Sequence, residues 1–243
     1  EVKRMVYVSS VHAIPEPENK EDIIAEVTHF DHEKVVGTYA KTKAAATSAV
    51  LDAGKEGLDV VVVHPSGITG PNDWQRGHMT QVVLDYIHER LTALVKGGYD
   101  FVDVRDVAQG VIAAARIGRR GECYILSNRY FEMQDIVGEI TNLTGHKRIK
   151  MILPFWFARL FAPLVEGFCR LTRRMPLYTT YSLYTLRAAA NFSNAKAKKE
   201  LNYSTRPMEE TLHDTVAFLK KRKRFKVPVL LRPWRNTVMN KSI

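Results

Sequence analysis

Tyr39 and Lys43 lie four residues apart in Gly37-Thr-Tyr-Ala-Lys-Thr-Lys43. In a helix that spacing stacks both side chains on one face, with Cβ atoms about 5–6 Å apart. A phenol beside an ammonium gives up its proton more readily, because the positive charge favours the phenolate. Reduction of a carbonyl needs such a proton donor. Upstream, Ser9-Ser10 ends an apolar run, where a hydroxyl can hold a carbonyl oxygen. The Tyr–Lys spacing alone is weak, since about one chance match is expected at ordinary residue frequencies, and a surface Tyr–Lys pair is the alternative reading. Tyr39 is the only one of the ten tyrosines with lysine four residues on.

The elements that must carry these residues follow from the pattern around them. Residues 5–8 read as a buried strand, and 12–37 as a polar loop with Pro15 and Pro17 and a helical turn near 21–26. The Tyr39 helix runs through helix formers to about residue 52 and stops at Gly54 and Gly57. Residues 58–64 form a continuous apolar strand, ended by a loop at 65–71. Strand, helix and strand with short connections make a parallel crossover unit.

Further on, 79–95 has helical spacing, with Met79, Val82, Val83, Tyr86 and Ile87 as its apolar face. Residues 101–106 are expected to open a helix that runs to 117, with Asp106 as a first-turn acid. A short strand at 122–126 follows, then helices at 133–143, 194–201 and 209–221. The division expected is an α/β core over 1–128, a smaller helical lobe over 129–220 and a basic tail over 221–243.

Composition narrows the function classes. A length of 243 residues allows one large or two small domains with a substantial core. The net charge of +10 is concentrated in Lys220, Lys221, Arg222, Lys223, Arg224, Lys226, Arg232, Arg235 and Lys241. Such a run reads first as a solvated tail, so no specific nucleic-acid partner is assigned. Cys123 and Cys169 sit in apolar contexts without metal-ligand spacing, and with no secretory signal they point to a cytoplasmic protein. His29, His32 and His78 show no ligand spacing, and no metal is assigned. The apolar stretch at 151–171 contains Arg159, Glu166 and Arg170 and is interrupted by Pro154 and Pro163. It reads as an amphipathic helix against a substrate site rather than a membrane span, with membrane-surface contact the lesser reading.

With these elements in order, the chain resembles the short-chain dehydrogenase/reductases of the extended type, the NAD-dependent epimerase/dehydratase group. The residues that carry the resemblance are Val8-Ser-Ser10, Tyr39-Ala-Lys-Thr-Lys43, His64-Pro-Ser-Gly-Ile-Thr-Gly-Pro71 and Phe101-Val-Asp-Val-Arg-Asp-Val-Ala108. It is most similar to the dihydroflavonol-4-reductase-like and 3β-hydroxysteroid dehydrogenase-like branch, whose C-terminal lobe the segments at 194–203 and 207–212 resemble. The resemblance implies the C-terminal portion of a Rossmann-type, doubly wound parallel sheet with a mainly helical substrate lobe. One departure is large. No G-x-x-G-x-x-G or G-x-G-x-x-G follows a strand in these 243 residues, although the family holds the cofactor pyrophosphate on such a turn. About the first hundred residues of the family fold are absent, so the first strand is expected to expose an edge, the missing part being trimmed, lost in a truncated gene or supplied by a partner.

The resemblance implies NAD or NADP as cofactor. It makes Tyr39 the acid/base, Lys43 its partner and a ribose ligand, and Ser10 the hydroxyl on the substrate carbonyl. Ser9 is expected to be structural. Pro65, Ser66, Gly67 and Ile68 match the loop near the nicotinamide. His12, two residues past Ser10, is either substrate-facing or a loop histidine in water, and Asp106 is explained by helix capping. The function implied is an NAD(P)-dependent oxidoreductase on a carbonyl or secondary alcohol of a small, fairly apolar molecule. The aromatic segment Phe155-Trp-Phe157, Phe161 and Phe168 would line that pocket. A nucleotide-sugar epimerase or dehydratase, with Arg170, Arg173, Arg174 and Arg187 on a diphosphate, is the neighbouring alternative. A catalytically silent scaffold is the alternative of another class. A homodimer is the assembly the resemblance suggests testing.

Overall fold

Four consecutive valines, Val60, Val61, Val62 and Val63, are each fully buried, and a strand covered on both faces belongs in the middle of a parallel sheet. The computed structural model, which describes residues 2–171 and 180–224, places them there. The chain runs β1 (Met5–Val8), a single 3₁₀ turn (Val11–Ala13), α1 (Thr38–Lys55), β2 (Val60–Pro65), β3 (Gly67–Thr69), α2 (His78–Ile87), β4 (Leu94–Val95) and β5 (Gly98–Asp103). It continues through α3 (Val104–Ile117), β6 (Cys123–Leu126), β7 (Arg129–Glu132), α4 (Met133–Thr144), β8 (Ile152–Leu153), α5 (Phe155–Leu171), α6 (Thr180–Thr185), α7 (Ala195–Leu201) and α8 (Met208–Arg224).

The main sheet has the order β1-β2-β6, parallel throughout. Alternation along its strands sends Val62, Cys123 and Ile125 to one face, with Ala40 and Ala44 of α1. Val61, Val63, Tyr124 and Leu126 go to the other, with Val107 and Ala114 of α3 and Ala197 and Leu201 of α7. Helices therefore cover both faces, the doubly wound arrangement. Its geometry puts the carboxyl ends of β1 and β2 side by side, where sheets of this kind hold their ligands. Among the described strands β1 is at one edge. At the other edge, Ile125 N–H donates to Glu26 Oε1 at 2.8 Å.

Several local expectations are corrected. Residues 101–103 are strand, not helix: β5 pairs with β3 in parallel and β7 antiparallel, and the helix starts after Asp103, whose carboxylate caps Arg105 N–H at 2.7 Å. Gly67–Thr69, expected as loop, is the partner strand of residues 101–103. The helix expected over 79–95 stops at Ile87, and Glu89 then takes φ of 57°. No helical turn forms at 21–26. Instead Ile24 bridges Phe192, with Ile24 N–H on Asn191 O and Ser193 N–H on Ile24 O, both at 2.8 Å. For 67–69, 101–103 and Ile24, hydrogen bonds to a segment distant in sequence override the local pattern; α2 instead ends locally, with His88 N–H on Leu84 O and Arg90 N–H on Asp85 O. Arg173, Arg174 and the tail from 225 lie outside the described residues, as do the side chains of Phe168, Cys169 and Arg170.

The C-terminal helices are fastened to α3 by ions. Arg206 Nε donates to Asp106 Oδ1 at 2.8 Å and its backbone N–H to Oδ2 at 2.9 Å. Arg105 pairs with Asp103 and Asp214 at 2.7 and 2.6 Å. Asp106 is buried, so removing its cation leaves a desolvated charge with one backbone donor. Arg206→Ala is expected to lower unfolding free energy by about 2 kcal/mol, read from urea titration. A loss within about 0.5 kcal/mol shows that this junction carries little stability.

Candidate active site

The site is assembled at the end of β1. Ser9 N–H donates to Val63 O at 2.8 Å, which seats the strand end against β2. Ser9 Oγ lies 2.6 Å from Thr47 Oγ1 in a buried contact, and Thr47 itself donates to Lys43 O at 2.7 Å. Thr47 has one hydroxyl hydrogen and that bond uses it, so Ser9 is the donor to Thr47. Ser9 thus has the structural part expected of it, tying α1 to the strand.

Lys43 reaches back across this junction. Its Nζ donates to Val8 O at 2.9 Å and stands 5.4 Å from the Tyr7 ring centre. Burial shifts the Lys43 ammonium below the usual lysine range. Ser10 caps the 3₁₀ turn: its Oγ accepts His12 N–H at 3.2 Å, which leaves the hydroxyl hydrogen to donate elsewhere. The Ser10 carbonyl accepts from His64 Nδ1 at 3.0 Å. Because a carbonyl only accepts, His64 carries its proton on Nδ1. His64 is fully buried and stacks on Phe30 at 5.1 Å, and burial pulls it down to about 4.

Tyr39 is half-exposed at the start of α1, edge-on to the His12 ring at 6.0 Å. The same imidazole stacks on Tyr99 at 5.6 Å, with Nε2 3.4 Å from the Tyr99 hydroxyl, and Tyr181 stands 6.0 Å away. Burial lowers the His12 pKa. His12 is therefore enclosed by three tyrosines rather than immersed in water. Gly37 fixes where α1 begins: its φ is +95°, and a Cβ there would come 2.8 Å from the Tyr181 ring. A cavity of about 180 Å³ opens beside His12, walled by Val11, Ile14, Ala40, Tyr99, Tyr184 and Phe192.

The four residues after β2 take different directions. Pro65 closes the strand opposite Leu126. Ser66 turns inward and donates to Asp100 Oδ1 at 2.5 Å, the oxygen that also accepts Asn128 N–H at 3.0 Å. Gly67 passes close to β5, where a Cβ would meet Asp100 O at 2.8 Å. Ile68 faces solvent. Asp100 Oδ2 has no partner among the described residues, and burial raises the carboxyl to about 6.

The structure thus brings Ser10, Lys43, Tyr39 and His12 together at one strand end, with the 65–68 loop on the neighbouring strand. The expected aromatic wall is corrected. Trp156, Phe157 and Phe161 of α5 point to solvent, because α5 docks through Ala158 and Ala162 onto Val95 and Leu183. Tyr99, Tyr184 and Phe192 replace them in the cavity wall, and the sequence offered no local signal for these. Arg187, a candidate diphosphate ligand, stands over the Phe155 ring at 4.6 Å. For His64 a signal existed, a polar residue ending a run of buried valines. A larger open cavity, about 430 Å³ between α4, β7 and α8, lies away from this cluster.

The model of the NAD dependent epimerase/dehydratase family matches residues 1–127. The chain is 30% identical over 227 residues to sterol demethylase protein B of Methylococcus capsulatus, covering 91% of this chain and 67% of that protein. It is 29% identical over 219 residues to a Synechocystis protein bearing the provisional name dihydroflavonol 4-reductase, covering 88% of this chain and 64% of that one. The chain thus spans about two thirds of the length of these relatives. The crystal structure of gox2253 superposes with a TM-score of 0.75 at 29% identity, over 93% of this chain and 68% of that one.

Two buried groups pull acid stability in opposite directions. His64 has a folded value of about 4 against an ordinary 6.5, so its contribution is present above pH 6.5 and is lost as pH falls toward 4. Asp100 has about 6 against 3.8, so its ionised form costs stability above pH 6, and that cost is relieved as pH falls toward 3.8. Each shift corresponds to about 3 kcal/mol, and the two largely offset between pH 4 and 6. Asp100→Asn removes one side of the balance. The variant is expected to exceed wild type by about 2 kcal/mol near pH 7.5 and to lose stability more steeply toward pH 4.5. Urea unfolding at both pH values reads this; parallel pH profiles for the two proteins would show that Asp100 does not titrate as described.

Proposed function

The chain belongs to the NAD dependent epimerase/dehydratase family, and from that premise we propose that it interconverts a carbonyl and a secondary alcohol on a small, fairly apolar molecule with NAD or NADP. The observation that carries the proposal is the strand end itself. The Lys43 ammonium on Val8 O, the Ser10 hydroxyl beside His12 N–H, and the Tyr39 ring against the His12 ring lie around one point of the sheet. A proton donor, an oxygen holder and a fixed cation are what carbonyl reduction requires of a protein.

In this reading Tyr39 donates its phenolic proton to the substrate oxygen in reduction and recovers it in oxidation. Ser10, whose oxygen is already occupied as an acceptor, donates its hydrogen to the same substrate oxygen and orients the carbonyl. Lys43 supplies the positive charge near the phenol and a donor for sugar hydroxyls. A bound nicotinamide would supply or accept the hydride. The residues present fit its nicotinamide–ribose end. Lys43 offers N–H donors beyond the one it spends on Val8 O. A glycine-rich pyrophosphate turn is not among the 243 residues. Residues 1–128 would then supply the cofactor side, and parts of 129–220 the substrate cover.

An apolar substrate is supported by the walls of the cavity beside His12, where nine apolar residues, Val11, Ile14, Ala40 and Phe192 among them, stand against five polar ones. The relative from Methylococcus carries a sterol in its name, which agrees with that preference. Titration with NADH, followed by nicotinamide fluorescence, is expected to show saturable binding, whereas a folded chain that binds none fits the scaffold reading. Tyr39→Phe is expected to lower kcat at least about 100-fold with cofactor affinity nearly unchanged. If the variant keeps most of its turnover, Tyr39 has no part in the chemistry.

A further inference from the structure

Helix α5 is packed inside out. The residues it buries are Ala158 and Ala162, on Val95 and Leu183. Those it leaves in solvent are Trp156 at 66% exposure, Leu160 at 63%, Leu164 at 69%, and Phe157, Phe161 and Val165 at 38 to 45%. Just before it, Met151 and Ile152 are also exposed, at 52 and 46%. A water-facing helix surface normally carries charge, and a contiguous apolar patch of this kind marks a surface that meets something else.

The charges beside the patch indicate what that is. From residue 140 to 165 the chain has two lysines, two arginines and no acidic residue. Lys147, Arg148 and Lys150 are exposed immediately ahead of the patch, and Arg159 is exposed within it. A protein partner of ordinary composition would call for charges of both signs at the rim. Four cations, Lys147, Arg148, Lys150 and Arg159, against the single acid Glu166, beside a Trp, Phe and Leu face, are the pattern of a helix that lies in a lipid interface. Among the described residues no helix is long and apolar enough to cross a membrane, and Arg159 and Pro163 inside α5 agree with a helix that lies on one.

We propose that α5 lies flat in the surface of an anionic membrane, its Trp156, Leu160 and Leu164 face in the acyl boundary and the cations of 147–150 at the headgroups. Arg159 extends its stem along the apolar face and its guanidinium toward the phosphates. The far side of α5 rests on α6, whose Tyr184 walls the cavity beside His12 and whose Tyr181 packs on Gly37. Helices α5 and α6 therefore lie between the docked face and that cavity. The proposal does not depend on what reaction the cavity serves.

Sedimentation with vesicles tests it, using phosphatidylcholine alone and phosphatidylcholine mixed with phosphatidylserine. The chain is expected to pellet with the mixed vesicles at low salt, with a blue shift of tryptophan emission, and to bind the neutral vesicles at least about tenfold more weakly. Trp156→Ser, Leu160→Ser and Leu164→Ser together are expected to cut binding at least about tenfold with an unchanged circular dichroism spectrum. Lys147→Glu with Lys150→Glu, which alters two exposed side chains, is expected to cut binding at low salt, and it serves as the test if the serine variant does not fold. Wild-type chain that stays in the supernatant with both vesicles overturns the proposal. So does a dimer that the serine substitutions dissociate and that binds no vesicle, since the face would then be covered by a second copy.

Discussion

The carbonyls of Val8 and Ser10 mark the end of β1, and each accepts a hydrogen bond from a side chain carried by another element: Lys43 of α1 and His64 of β2. Those two bonds decide where the site is. The Ser10 carbonyl also accepts Ala13 N–H at 3.0 Å and Val8 is exposed, so the two side-chain bonds matter for position rather than for rescuing an unpartnered oxygen. Lys43 and His64 provide the donors. In doing so, one ties the helix of Tyr39 to the strand of Ser10, and the other holds the Ser10 backbone against the central strand. His64 does this at the expense of its own second nitrogen, since Nε2 is buried without a partner among the described residues. That arrangement tolerates only the neutral imidazole, which is why the pull of burial on its proton and the position of Ser10 are a single fact.

Much of the scaffold could be read before any coordinates. The valine run gave β2, the helix formers after Gly37 gave α1, and the order of strand, helix and strand gave the crossover that sets Ser10 beside α1. These succeed because they depend on near neighbours, where period and composition are direct consequences of which face is buried. Residues 67–69 and 101–103 failed for the opposite reason: each is a strand only because the other is its partner. The same holds for Ile24, whose pairing with Phe192 spans most of the chain. Tyr99, Tyr184 and Phe192 could not have been named as the cavity wall, because three separate elements carry them.

The position of Asp100 shows a comparable trade. Its carboxylate gathers Ser66 and Asn128 onto one oxygen, so the ends of β2 and β6 and the strand β5 meet at a single acceptor. An amide could accept the same two bonds without the charge. What a carboxylate adds is stronger acceptance, since hydrogen bonds to an ionised group are shorter and about twice as strong. It holds the 65–68 turn more firmly while stability is spent on desolvation.

The aromatic content of α5 and that of the cavity are best understood together. From sequence alone, Phe155, Trp156, Phe157 and Phe161 suggest one apolar pocket. In the structure the small residues face inward and the large ones outward, so two apolar surfaces exist where one was expected. Alanines let α5 and α6 approach closely, and that closeness leaves no room between them for aromatic rings. The rings must then either meet water or meet another phase. Tyr181 and Tyr184 of α6 have their hydroxyls raised above the ordinary tyrosine range by burial, so they are uncharged groups on the inner side of the same helical layer. Helices α5 and α6 thus stand between two apolar surfaces, joined by the contact of Ala158 and Ala162 with Leu183.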